Sequence, residues 1–325
     1  MPANLTPEYL AAEERFKKSK TAEEKLEALE AMLRTIPKHK GTEKMRADIK
    51  RRISKTKGII EQKKSSGKKG ISYHIPKEGC AQITLVGPPN TGKSSIVGNF
   101  TGAPTVIGDY PYSTIKPQPG MLFYENIAYQ LVDLPPISAE FLEPWVPSLI
   151  RVCDVVLLTI GLDDISQLDI VIQRLHASKI RLTDTFSEAN YYASEVVLPA
   201  LIIANKSDHH DAQINLELLK ETYTQYRIVP LSSFNPSDAN LLGRELYDML
   251  QLIRVYTQAP GKEPRIDQPI VLRKGAVLLD AAQEIHKDFA HNLKYARVWG
   301  KNTFDGQRVQ RDYVLNEGDI IEFKL

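Results

Sequence analysis

Eight residues, Gly87-Pro88-Pro89-Asn90-Thr91-Gly92-Lys93-Ser94, constrain this chain more than any other stretch. The apolar run Ile83 to Val86 precedes them, and a helical run opening on Ser95-Ile96-Val97 follows, so the pattern predicts a strand, a tight loop and a helix. Glycines let backbone N–H groups converge, and the start of the helix adds positive potential, which together suit a phosphate. Lys93 then reaches the β- and γ-phosphates, and Ser94 ligates Mg²⁺. A unit of this kind sits in a mostly parallel sheet. Short apolar runs at Tyr129 to Val132, Val155 to Ile160 and Ala200 to Ala204 alternate with helical patterns and supply the rest of that sheet. The expectation is an α/β P-loop domain over residues 71–260, with Gly87 to Ser95 as the phosphate contacts.

A second motif, Asn205-Lys206-Ser207-Asp208, follows the strand Leu201 to Ala204. An Asp at the carboxyl end of a strand accepts hydrogen bonds from guanine N1–H and N2–H₂, where adenine offers the wrong pattern. Ser232-Ser233, after Val229 to Leu231, either supports the base or is a plain turn. Asp133 ends the strand Tyr129 to Val132 and is expected to hold a Mg²⁺ water, unless it only caps the strand. In Asp109-Tyr110-Pro111-Tyr112-Ser113-Thr114, the Thr114 hydroxyl is placed to meet Mg²⁺ when a γ-phosphate is present. Lys93, Thr114 and Asn90 are the candidates for a catalytic role, and GTP or GDP with Mg²⁺ the expected cofactors.

Around this core the 325 residues are unevenly charged. The net charge is +2, yet residues 1–70 carry 19 Lys+Arg against 10 Asp+Glu, and the remainder is net acidic. Apolar spacing in residues 1–70 predicts helices: one after Pro7, one from Thr21 with Glu24 as a capping box, and one from Thr42 through Met45, Ile49 and Ile53. The basic rim is either a nucleic-acid contact or a solvated face. Residues 55–70 read as a linker. Pro260, Gly261 and Pro264 interrupt what reads as the last helix of the middle domain, and residues 264–325 read as a compact α+β module with a helix about Leu279 to Phe289. Tyr295, Trp299 and Phe304 in that module either stack on bases or fill its core. No apolar run reaches the ~20 residues of a membrane helix. Cys80 and Cys153 are too few for a disulfide framework or a zinc site, so small buried thiols in a cytoplasmic protein are expected.

Taken together, the phosphate loop with Asn90, the Asp109 to Thr114 segment, Asp133-Leu134-Pro135 and Asn205 to Asp208 resemble the Obg and developmentally regulated GTP-binding protein (DRG) family. The tail, at Pro269 to Gly275, Ala290 to Gly300 and Val314 to Phe323, resembles a TGS domain, a ubiquitin-like β-grasp module. The resemblance covers essentially the whole chain. It implies a slow, Mg²⁺-dependent regulatory GTPase acting on the ribosome or RNA through its basic end and TGS module. It also implies that Asn90 coordinates potassium, for which a structural Asn in a tight turn is the alternative. Two departures stand out. The domain that DRG proteins insert within the G domain looks absent, because the stretch from Asp154 to Asn205 has room only for one strand, one helix and a connector. The family's Asp-x-x-Gly becomes Asp133-Leu134-Pro135-Pro136, so no N–H at Pro136 can meet a γ-phosphate, and Ile137 stands where many GTPases place a water-orienting Gln. A nucleotide-binding scaffold with negligible turnover is therefore the second reading, while Asp208 speaks against an Obg-like ATPase.

Overall fold

The structure is a computed structural model that describes residues 7–19, 22–37, 42, 45–53, 56, 73–104, 116–185, 191–192 and 195–324. The chain divides into two compact units, Met1–Ser72 and Tyr73–Leu325.

In the first unit, helix α1 (Pro7–Lys18), helix α2 (Ala22–Thr35) and a third helix α3 (residues 45–53) close on a small core. Tyr9 and Ala12 of α1 meet Leu29, Met32 and Ile36, and Ile49 joins them from α3. Their three-and-four spacing puts the apolar residues on one face of each helix. Thr21, and the linker apart from Thr56, lie outside the described residues.

The second unit opens with an eight-stranded sheet. Its elements in order are β1 (Ala81–Val86), α4 (Lys93–Thr101), β2 (Gln118–Tyr124), β3 (Ile127–Asp133), α5 (Val146–Ile150), β4 (Val155–Gly161) and α6 (Leu168–Ala177). They continue as β5 (Ile180–Thr183), β6 (Tyr191–Tyr192), β7 (Glu195–Asn205), α7 (Ala212–Thr222), β8 (Arg227–Pro230) and α8 (Ser237–Met249). The strands run β2-β3-β1-β4-β7, with β5, β6 and β8 all pairing with β7. All the pairs are parallel except the β2–β3 hairpin and β6 on β7. Central strands buried on both faces read as continuous apolar runs, and their residues alternate between two cores. Val156, Leu158 and Ile160 of β4 pack with Leu168 and Val171 of α6; Val155 and Leu157 pack with Ile96 of α4 and Leu242 of α8.

Two expectations are corrected here. The stretch before Asn205 was expected to supply one strand, one helix and a connector, but it also forms β5 and β6, which pair with an unusually long β7. The last helix of the middle domain was expected to run to the break at Gln258; instead α8 stops at Met249 and residues Leu252–Thr257 form strand β9.

That strand belongs to a second sheet. Its elements are β9, β10 (Ile270–Arg273), α9 (Leu278–Ile285), α10 (Lys287–Asn292), β11 (Tyr295–Trp299), β12 (Gln307–Val309) and β13 (Ile320–Lys324), with the strands in the order β10-β9-β13-β11-β12. β9 and β13 are parallel and the other neighbours antiparallel. The module thus begins before the 260–264 boundary. Its expected single helix is two, parted at His286, whose extended backbone interrupts the turn. Tyr295, Trp299 and Phe304 lie outside its core, which Val255, Leu278, Ala296, Val298 and Ile321 fill. Arg308 sits 4.0 Å over the Tyr295 ring, and Phe304 is 85% exposed.

Candidate functional site

Every described motif residue lies at the carboxyl ends of β1, β3, β7 and β8, where a parallel sheet leaves a crevice for a ligand. The loop after β1 turns through Asn90 and Gly92, with φ of 61° and 85°. Asparagine tolerates this left-handed region better than most residues, so the loop tip uses Asn90 as a turn residue, with its side chain exposed. Gly92 is required for a second reason: a Cβ there would lie 2.2 Å from Asn205 Nδ2. Thr91 closes the turn by donating its hydroxyl to the Pro88 carbonyl at 3.1 Å.

Lys93 is buried at the start of α4 and points back over the loop, donating to the carbonyls of Pro88 at 2.6 Å and Gly87 at 3.2 Å. Burial pulls its pKa down to about 8, only partly opposed by the Asp133 carboxylate. Ser94 donates its hydroxyl to Asp133 Oδ2 at 2.5 Å. Asp133 is fully buried and reaches across from β3 to the first turn of α4. A serine hydroxyl and a carboxylate in contact are hard oxygen donors, the set Mg²⁺ takes. Ser95 continues the same turn, half-buried. Thr114 lies outside the described residues.

Asn205 ties the site together. Its buried carboxamide donates to the Thr91 carbonyl at 2.9 Å and accepts from the Ser233 N–H at 3.0 Å. Asn99 of α4 donates to the Ser233 carbonyl at 2.9 Å. The Ser232-Ser233 loop is thus hydrogen-bonded to both Asn205 and Asn99. Asp208 is exposed, and a hydrogen bond from the Ser232 side chain holds its carboxyl below the usual range, so it stands ionised as an acceptor. Lys206, with φ of 61°, pairs with Asp163 at 2.5 Å. Asn99 and Asp163 belong to no motif, and only the folded arrangement reveals them.

Where many GTPases hold a catalytic Gln, this chain turns inward. Ile137 is 1% exposed within the core, and its N–H donates to the Gly87 carbonyl at 3.1 Å. Leu134, Pro135 and Pro136 are buried before it. Burial drives Cys153 up to about 12, and Cys80 likewise, so neither thiol is a nucleophile.

Residues 82–206 match the 50S ribosome-binding GTPase family, and residues 253–324 match the TGS domain. Developmentally-regulated GTP-binding protein 1 of Xenopus laevis is 26% identical, covering 90% of this chain and 96% of its own. The chain is similar to the DRG proteins over nearly its whole length, and it carries a GTPase and a TGS module. An uncharacterized GTP-binding protein of Methanocaldococcus jannaschii is 27% identical, covering 92% of each chain. That alignment runs over 362 residues, more than this chain possesses, so the archaeal relative carries segments that are missing here. The ribosome-interacting GTPase 1 of Saccharomyces cerevisiae is 23% identical over 93% of this chain and 98% of its own. The TGS match begins inside β9, in agreement with the sheet. Among the described residues, no helix is long and apolar enough to cross a membrane.

Proposed function

We propose that the chain is a slow regulatory GTPase, cytoplasmic, whose nucleotide state governs engagement of the ribosome or its RNA through the basic N-terminal unit and the TGS module. The observation that carries the enzymatic part is Lys93 folded back on the loop carbonyls beside the Ser94–Asp133 hydrogen bond, with Asn205 bonded to the loop at Thr91 and the exposed Asp208 three residues on. Asp208 selects guanine. Lys93 exchanges the loop carbonyls for phosphate oxygens and neutralises charge that develops during transfer. Ser94 and Asp133, with Thr114 when a γ-phosphate is present, would hold Mg²⁺, which when bound offsets charge on the β- and γ-oxygens. Asn90 offers its exposed carboxamide to a potassium ion at the loop tip. Slowness follows from Pro136 and Ile137. Neither supplies a group to orient the attacking water, and the Ile137 N–H is committed to Gly87. The same features support the second reading, a nucleotide-binding scaffold with negligible turnover.

Phosphate release from GTP and from ATP, in potassium and in sodium, tests both readings. Turnover of GTP alone is expected. Pro136→Gly restores an N–H, and a hydrogen bond to a charged group contributes about 1.5–3 kcal/mol, so release is expected to quicken about tenfold or more. Equal rates in the two salts would remove the role of Asn90. Tight GTP binding with no phosphate released in either salt would establish the scaffold.

A further inference from the structure

Lys206 has an acidic neighbour within its own motif, Asp208, yet its ammonium is bound to a carboxylate from elsewhere. Asp163, in the loop after β4, meets Lys206 Nζ at 2.5 Å. Gly161 makes room for it: a Cβ on that residue would lie 2.2 Å from Asp163 Oδ1 and 3.4 Å from Lys206 Cε. The carboxylate and the lysine stem therefore fill the volume that a side chain at the end of β4 would take. Gly161 is not among the residues of positive φ, so its missing side chain serves this packing and not a turn. Lys206 by contrast holds a left-handed backbone that lysine seldom adopts, and such a conformation persists where neighbours over-determine it.

We propose that Asp163 is a positioning residue for the guanine nucleotide. It keeps Lys206 drawn across the end of β4, where the methylene stem walls the base slot, and keeps the ammonium away from Asp208. The inference rests on the GTP-binding reading. A released ammonium two residues from Asp208 would compete with guanine N1–H and N2–H₂ for that carboxylate. GDP and GTP share the base, so the contribution is to uniform binding: affinity and KM change, while hydrolysis of bound GTP does not.

The test is the dissociation rate of a fluorescent GDP analogue from the full-length protein, with single-turnover GTP hydrolysis measured beside it. Asp163→Asn is expected to speed dissociation about tenfold, to weaken GTP by the same factor, and to leave the hydrolysis rate constant unchanged. The double variant Gly161→Asp/Asp163→Ser is expected to restore slow dissociation, because the carboxylate re-enters the same volume from β4. Wild-type dissociation in Asp163→Asn, a hydrolysis step slowed as much as binding is weakened, or a double variant no better than Asp163→Asn would each overturn the proposal. A wild-type protein that binds no guanine nucleotide overturns the GTP-binding reading itself.

Discussion

Lys93 is an ammonium held in the dry interior of a loop, and its depressed pKa makes nucleotide binding a proton-linked event. Burial favours its neutral form, with a folded value of about 8 against an ordinary lysine near 10.5. Phosphate oxygens favour the charged form and push the value back up. In the window above about pH 8, the nucleotide-free protein has lost part of this proton and the complex regains it, so binding takes up a proton there and none from this group near pH 6. GDP titrations at pH 9 in two buffers of different ionisation enthalpy should give different heats, and the difference should vanish in Lys93→Met. Identical heats in both buffers at pH 9 would contradict the assignment. The identity of this lysine was plain in the sequence because a phosphate loop needs fixed residues at fixed spacing. Ser94 comes from the same spacing, while Asn205 and Asp208 were legible as a four-residue motif after an apolar strand. Asp163 and the inward turn of Ile137 were hidden, because each depends on what lies across the sheet, which no local spacing encodes.

Among the elements, Arg254 on β9 is, beside the Arg273–Asp154 pair, one of the ties between the two sheets. Its guanidinium pairs with Glu125 at the tip of the β2–β3 hairpin, bonds Glu317 Oε1 at 2.9 Å, and lies 5.3 Å from the centre of the Tyr247 ring on α8. Glu317 also accepts from the Tyr247 hydroxyl at 2.8 Å and from the Arg254 backbone at 2.6 Å. The Arg254 side chain is 21% exposed, so solvent screens these pairs only in part. Arg254→Met removes the cation that Glu125 and Glu317 share and is expected to cost about 2 kcal/mol in urea unfolding. Adding Glu317→Gln should cost less than the sum of the two single changes, since both belong to one network. Full additivity would show that the pairs are independent. This strand was misread from the sequence for an identifiable reason. The chain turns from α8 into β9 at Gln251, a non-glycine residue with φ of 49°, whereas the visible glycine and proline signals come only after the strand has ended.

For the whole molecule, charge is divided as sharply as structure: residues 1–70 carry nine more basic than acidic residues, while the remainder is net acidic. In the described helices of the first unit most of the apolar residues are gathered into one core, and Lys50 and Arg51 of α3 are exposed on the outside. Several acidic residues there are already paired within their own helix, as Asp48 is with Arg52 at 2.8 Å and Glu14 with Lys18 at 2.7 Å. Charge left over on such a surface attracts a phosphate backbone without reading its sequence, and its signature is release of counterions. If this unit supplies the RNA contact, the logarithm of the ribosome association constant should fall linearly with the logarithm of salt concentration. Lys50→Glu/Arg51→Glu should flatten that slope by about 1.5–2, the loss of two phosphate contacts, and weaken association at low salt more than at high salt. Sedimentation with purified ribosomes across a salt series, in GDP and in GTP, measures both quantities. An unchanged slope in the double variant would remove α3 from the interface and leave the basic rim as a solvated face, with the exposed Phe304 and the Arg308–Tyr295 pair of the second sheet as the next surface to vary.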